Sequence, residues 1–123
     1  MSKNVSRKSA KLLLEWCIQS YGPSKYADLE TLSLRLDSKM EFLGEYCPDE
    51  NQIILNPKKH RSLLEWCNTF IHEYTHFRQN MDRYSSLKVD YDSNPYEIAS
   101  NKIAERDKFI ARLYVLRKLR NNK

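Results

Sequence analysis

Leu63-Leu-Glu-Trp-Cys-Asn-Thr-Phe-Ile-His72-Glu73-Tyr-Thr-His76-Phe77 decides how the rest of the chain is read. Leu63, Leu64, Trp66, Cys67, Phe70, Ile71, Tyr74 and Phe77 recur at helical spacing and cover most of a helix circumference. The stripe left over is Glu65, Thr69, His72, His76 and Gln79. A mostly apolar helix with one polar stripe is a core helix whose open side lines a cleft. His72 and His76 stand one turn apart on that stripe, so both imidazoles can reach one ion. Glu73 lies about 100° round from His72, where it can face an open coordination position without itself being a ligand. The H-E-x-x-H spacing therefore offers two metal ligands and a general base.

Upstream, Asn56-Pro57 carries helix-start chemistry, and the spacing predicts that this helix runs from there to about Met81. Before it come three short stretches of strand period: Leu32–Asp37, then Met40, Phe42, Gly44 and Tyr46 alternating with polar or outward residues, then Gln52–Leu55. Short connections predict an antiparallel meander, with Gln52–Asn56 as a sheet edge open to an extended substrate or as an inner strand. Ser6 to about Tyr21 reads as a first helix, stopped by Gly22-Pro23-Ser24. Residues 1–6 read as a flexible tail. The pentapeptide Leu-Leu-Glu-Trp-Cys occurs at 13–17 and again at 63–67, too short a likeness to mark a structural repeat.

Downstream, Asp82–Ser93 is polar and tyrosine-rich and reads as a loop. Asn94-Pro95 opens a last helix to about Leu119. A catalytic zinc site commonly has three protein ligands. Asp82, Asp90, Asp92, Glu97 and Glu105 are the candidates for the third, and Glu97 is chosen because its helix, folded back after the loop, presents it to His72 and His76. Glu97 also stands three residues after the N-cap Asn94, where a capping box needs no metal. Tyr84, Tyr91 and Tyr96 are candidate donors to an oxyanion, and Asn101, one turn after Glu97, a candidate outer partner of the site.

The chain of 123 residues is sized for one domain, 1–123. Apolar residues at 41% and charged residues at 30% describe a globular chain. Two glycines and no G-x-x-x-x-G-K or G-x-G-x-x-G pattern leave nucleotide chemistry without a motif. No apolar run reaches the roughly 20 residues that span a bilayer, and Glu15 interrupts the stretch that would serve a signal peptide. Cys17, Cys47 and Cys67 form no C-x-x-C pair and read as reduced thiols of a cytoplasmic protein.

His72-Glu73-x-x-His76, 20 intervening residues and then Glu97 on the next helix resembles the gluzincin group of zinc peptidases. Asn94-Pro-Tyr-Glu-Ile-Ala-Ser-Asn-Lys-Ile-Ala104 is similar to the glutamate helix of its minimal members, including the SprT-like and ImmA/IrrE-like peptidases. The motif likeness spans about residues 72–104. It implies an α+β, zincin-like domain: N-terminal helix, three-stranded antiparallel sheet, H-E-x-x-H helix and C-terminal glutamate helix. It further implies zinc bound by His72, His76 and Glu97, with Glu73 as general base on a zinc-bound water, and a peptide or protein as substrate. A third histidine soon after His76, as metzincins have, is missing.

The last helix interleaves Arg106, Lys108, Arg112, Arg117, Lys118 and Arg120 with Phe109, Ile110, Leu113, Tyr114 and Leu116, and the chain carries a net charge of +5. This is either a solvated basic face or a weak phosphate-contacting one. It supplies the alternative function: a nucleic-acid-associated or partner-binding protein on a zincin scaffold, inactive or of narrow substrate range.

Overall fold

A computed structural model describes residues 4–121. The fold is α+β, with four helices and one three-stranded mixed sheet. Helix α1 spans Arg7–Tyr21, strand β1 Ser33–Leu36, β2 Gly44–Cys47 and β3 Gln52–Leu55. Helix α2 spans Leu63–Phe77, α3 Met81–Ser86 and α4 Pro95–Asn121. Of the tail expected over 1–6, residues 1–3 lie outside the described residues. Val5 is buried in the core, and Ser6 caps α1 through a reciprocal box with Ser9.

Gly22 ends α1 at φ 80°, a backbone conformation that glycine reaches without a Cβ clash, and its N–H bonds Ile18 O at 2.9 Å. The turn it makes is tied to α2, because Tyr74 Oη donates to Gly22 O at 2.6 Å.

The sheet corrects the expected antiparallel meander. Its order is β1-β3-β2, with β1 parallel to β3 and β2 antiparallel to it. Of the two readings open for Gln52–Asn56, edge or inner strand, the structure has the inner one: β3 is central, and β2 is an edge. The composition of the strands explains this. Gln52-Ile-Ile-Leu55 is the most apolar of the three, with Ile53 and Leu55 fully buried, while β1 and β2 carry Arg35 and Glu45, charges that suit an edge. The chain from Asp37 to Leu43 crosses the end of β3 and is held there by Asn56. Asn56 N donates to Leu43 O at 3.0 Å and Asn56 Nδ2 to Met40 O at 2.8 Å.

Asn56-Pro57 does start a helical turn, but only a 3₁₀ one over Pro57–Lys59. The chain then extends at His60, whose Nδ1 meets Asn56 O and whose Nε2 meets Thr69 Oγ1, each at 2.8 Å. That buried side-chain bridge takes the place of a continued backbone ladder. Helix α2 therefore starts afresh at Leu63, where Ser62 Oγ accepts from Glu65 N. It stops at Phe77 rather than Met81, because Asn80 caps the new helix α3. The expected loop over 82–93 accordingly holds most of α3 and a 3₁₀ turn over Tyr91–Ser93.

Helix α2 is the centre of the fold: Trp66, Cys67, Phe70, Ile71, Tyr74 and Phe77 have no exposed surface. Helices α1 and α4 and strands β2 and β3 pack around it. Strand β2 comes unusually close, since a Cβ on Gly44 would lie 2.8 Å from Thr69 Cγ2. A glycine here lets the edge strand lie against the polar stripe of α2.

Candidate metal centre

Helix α2 places His72 and His76 on one face, and α4 crosses that face with its first turn. Their three side chains converge. His72 Nε2 lies 2.9 Å from Glu97 Oε1, His76 Nε2 lies 3.2 Å from Glu97 Oε2, and the two Nε2 atoms are 3.1 Å apart. All three residues are buried. The expected pairing of His72, His76 and Glu97 is thus what the tertiary structure brings together. Glu97 does not close the capping box: its carboxylate turns inward to the imidazoles, and Asn94 Oδ1 takes the Tyr96 N–H at 2.9 Å.

The donor set suits a metal ion. Zinc at about 2.0–2.1 Å from each of three tetrahedral ligands would hold the ligand atoms about 3.3 Å apart, so the observed spacings need only a slight opening. The tautomer suits it as well. His76 Nδ1 lies 2.7 Å from Gln79 Oε1, while Gln79 Nε2 donates to Tyr96 O at 3.0 Å and to Ser100 Oγ at 3.2 Å. A carbonyl only accepts, so Tyr96 O fixes which way the Gln79 amide points. Its oxygen must then face His76, which puts the imidazole proton on Nδ1 and a lone pair on Nε2, pointing at Glu97. His76 Nε2 and the Glu97 carboxylate are both acceptors, and with His72 Nε2 they form a buried group that a cation would hold together.

Burial, then the neighbouring His76, push the His72 imidazole below its usual range, which keeps it neutral and able to ligate. Burial alone would raise the Glu97 carboxyl, but the Tyr84 hydrogen bond, the neighbouring His76, the Tyr91 hydrogen bond and the neighbouring His72 outweigh it and hold it below its ordinary value. Tyr84 Oη donates to Glu97 Oε2. Of the tyrosines expected as oxyanion donors, Tyr84 and Tyr91 therefore gather at Glu97 and line the cleft, while the Tyr96 ring lies tilted against that of Tyr84, with centroids 6.1 Å apart. Asn101 lines the same cleft, one turn after Glu97.

Glu73 does not join the three. It is 7% exposed and lines the cleft beside them. Burial, then the charge on Glu97, push its carboxyl up to about 8, against a hydrogen bond from the Tyr46 backbone that favours the ionised form. The remaining acidic candidates stand apart: Asp82, Asp90 and Asp92 are exposed, and Glu105 pairs with Lys108 at 2.7 Å and accepts from Asn68. Gln79 is the residue whose role the sequence reading missed. Its place on the polar stripe, one turn after His76, was the available signal.

The cleft has a volume of about 750 Å³ and is walled by β2 on one side and by α2, α3 and α4 on the others. Comparison with family models, curated proteins and solved structures gives no match to this chain. The buried His72, His76 and Glu97 group could hold a metal ion, and this rests on the geometry alone.

Proposed function

We propose that this chain is a zinc-dependent peptidase of zincin-like architecture, with His72, His76 and Glu97 as ligands and Glu73 as general base. The observation that carries the reading is the convergence of three buried candidate ligands, His72, His76 and Glu97, beside a fourth group, Glu73, that shares their cleft and stands apart from the three. A purely structural metal site has no use for such a carboxylate. Zinc, when bound, supplies a Lewis acid that acidifies water and polarises a carbonyl.

The residues of the chain do the rest. Glu73, whose ionised form burial disfavours and a cation held beside it would favour, accepts in that form the proton of the attacking water at its carboxylate. As the water oxygen bonds to the carbonyl carbon and the C–N bond breaks, it returns that proton to the leaving nitrogen. The Tyr84 and Tyr91 phenols, both pushed well above their ordinary value by burial and then by Glu97, stay protonated as donors at the cleft. Strand β2 borders the cleft as a sheet edge and can pair with an extended polypeptide.

The test is zinc content per chain after purification without added metal, for wild type and Glu97→Ala. Near-stoichiometric zinc in the wild type and little in the variant supports the site. Folded wild type that takes up no zinc on titration would sink it. Cys17, Cys47 and Cys67 are all free, and we place the protein in the cytoplasm on that basis. No helix among the described residues is long and apolar enough to cross a membrane.

The alternative is contact with nucleic acid through α4. The cations of Lys108 and Arg112 lie 5.5 and 5.4 Å from the Phe109 ring centre, and Lys118 lies 5.5 Å from that of Tyr114. Binding that weakens steeply with salt and survives zinc removal would favour it.

A further inference from the structure

The lip of the cleft formed by the chain entering β2 is apolar and exposed. Phe42 and Leu43 are 63% and 47% exposed, and both line the cleft. They are held there. Leu43 O accepts from the buried Asn56 N, Met40 O from Asn56 Nδ2, and Glu41 O from Lys59 Nζ, so the backbone on both sides of Phe42 is anchored. Two adjacent large side chains fixed in water at the mouth of a cleft favour a ligand that covers them with apolar surface.

The charge of the cleft points to the rest of the ligand. The chain has 21 Lys and Arg against 16 Asp and Glu, yet the cleft is lined by Glu45, Glu73 and Glu97 and by no Lys or Arg. Glu73 and Glu97 are buried within the site already described. Glu45 is exposed, because the alternation of β2 turns Tyr46 into the core and its neighbour outward. Its carboxylate meets only the Cys47 thiol, at 3.5 Å, and pairs with no cation among the described residues. Glu45 is thus an exposed carboxylate, unpaired among the described residues, on the cleft wall beside Phe42 and Leu43, a negative point that favours a cationic side chain there.

We propose that this lip selects polypeptides in which a bulky apolar side chain, seated against Phe42 and Leu43, neighbours a Lys or Arg drawn to Glu45, and that it turns acidic segments away. The proposal rests on reading the site as a zinc peptidase.

The test uses the zinc-loaded Glu73→Gln protein, which binds without turnover, and three fluorescent octapeptides that differ only at a central pair: Phe-Lys, Phe-Glu and Ser-Lys. Anisotropy titration should show Phe-Lys binding about 10-fold more tightly than either of the others. Adding Glu45→Lys should reverse the Lys-over-Glu preference and keep the demand for Phe. Adding Phe42→Ser should remove the demand for Phe and keep the charge preference. Both positions are exposed, and retained zinc content reports that each variant is folded. Equal binding of the three peptides, or none, overturns the proposal, as does a preference that neither variant alters. Wild-type protein with the same peptides separates the two readings. Cleavage of all three at one rate overturns the selectivity and leaves the peptidase. The predicted order of binding with no cleavage by the wild type overturns the peptidase and leaves the selectivity.

Discussion

Helices α1 and α2 contain the same five residues, Leu-Leu-Glu-Trp-Cys, at 13–17 and 63–67, and bury them alike. In each, the first Leu, the Trp and the Cys are buried, the second Leu is half-buried and the Glu exposed. What differs is where the pentapeptide sits. Ser6 caps α1 seven residues before Leu13, so the pentapeptide is mid-helix there, whereas Ser62 caps α2 immediately before Leu63 and makes it the first turn. Counted on from the Cys, the position of His72 corresponds to Gly22, where α1 stops. Identical local sequence therefore gives identical packing, and function depends on how far the helix continues beyond it. Helix α1 remains a support with an exposed outer face. Helix α2 runs on into the core and carries His72, Glu73 and His76 where α4 closes over them.

The sharpest separation of the two helices comes from the residue with no counterpart in α1. Glu73→Gln should lower peptide hydrolysis about 10²- to 10⁴-fold while zinc content stays at the wild-type level. Full activity in the variant would remove the general base from the mechanism. Next come the paired tryptophans. Trp16→Ala and Trp66→Ala should each cost about 3–5 kcal/mol in urea unfolding of the metal-free protein. Only the second should also weaken zinc binding, because Trp66 supports the helix that bears the ligands. Equal zinc affinity in the two variants would mean that the site does not depend on how α2 is seated.

The pH dependence of stability is a third way to tell them apart. Glu73 binds its proton more tightly in the folded protein, near 8, than at the ordinary 4.5. Its contribution to stability is therefore fully present below about pH 4.5 and is lost as pH rises through about 8, by about 2–4 kcal/mol. Unfolding of chelator-treated protein across that window should show the loss, and Glu73→Gln should flatten it. Smaller again is Gln79→Leu, which frees His76 Nδ1 from its acceptor and should weaken zinc binding about 10- to 100-fold with hardly any change in urea midpoint. The smallest effect belongs to the caps. Ser6→Ala and Ser62→Ala should each cost about 1 kcal/mol, and a much larger loss at Ser62 would show that the start of α2 is the weak point of the site.

Elements whose signal is local were legible in the sequence. The first helix, the last helix and the strand character of Gln52–Leu55 follow from periodicity and from Ser, Asn, Pro and Gly at their ends. The sheet order was not legible, because strand direction depends on which strand takes the centre, and that is settled by burial against α2 rather than by loop length. The start of α2 was misplaced for a similar reason. His60 bridges Asn56 and Thr69, a contact between residues nine apart that no propensity records.

By itself the sequence determined the apolar helix and the spacing that stacks His72 over His76, because helical periodicity acts over a few residues, and it narrowed their partner to a few downstream carboxylates with Glu97 foremost. Only the tertiary structure decided that Glu97 abandons its cap for the imidazoles, that Gln79 sets the His76 tautomer, and that β2, brought close by Gly44, forms the wall of the cleft. Each of these joins residues from different elements, and it is the packing of α4 and β2 on α2 that brings them within bonding distance.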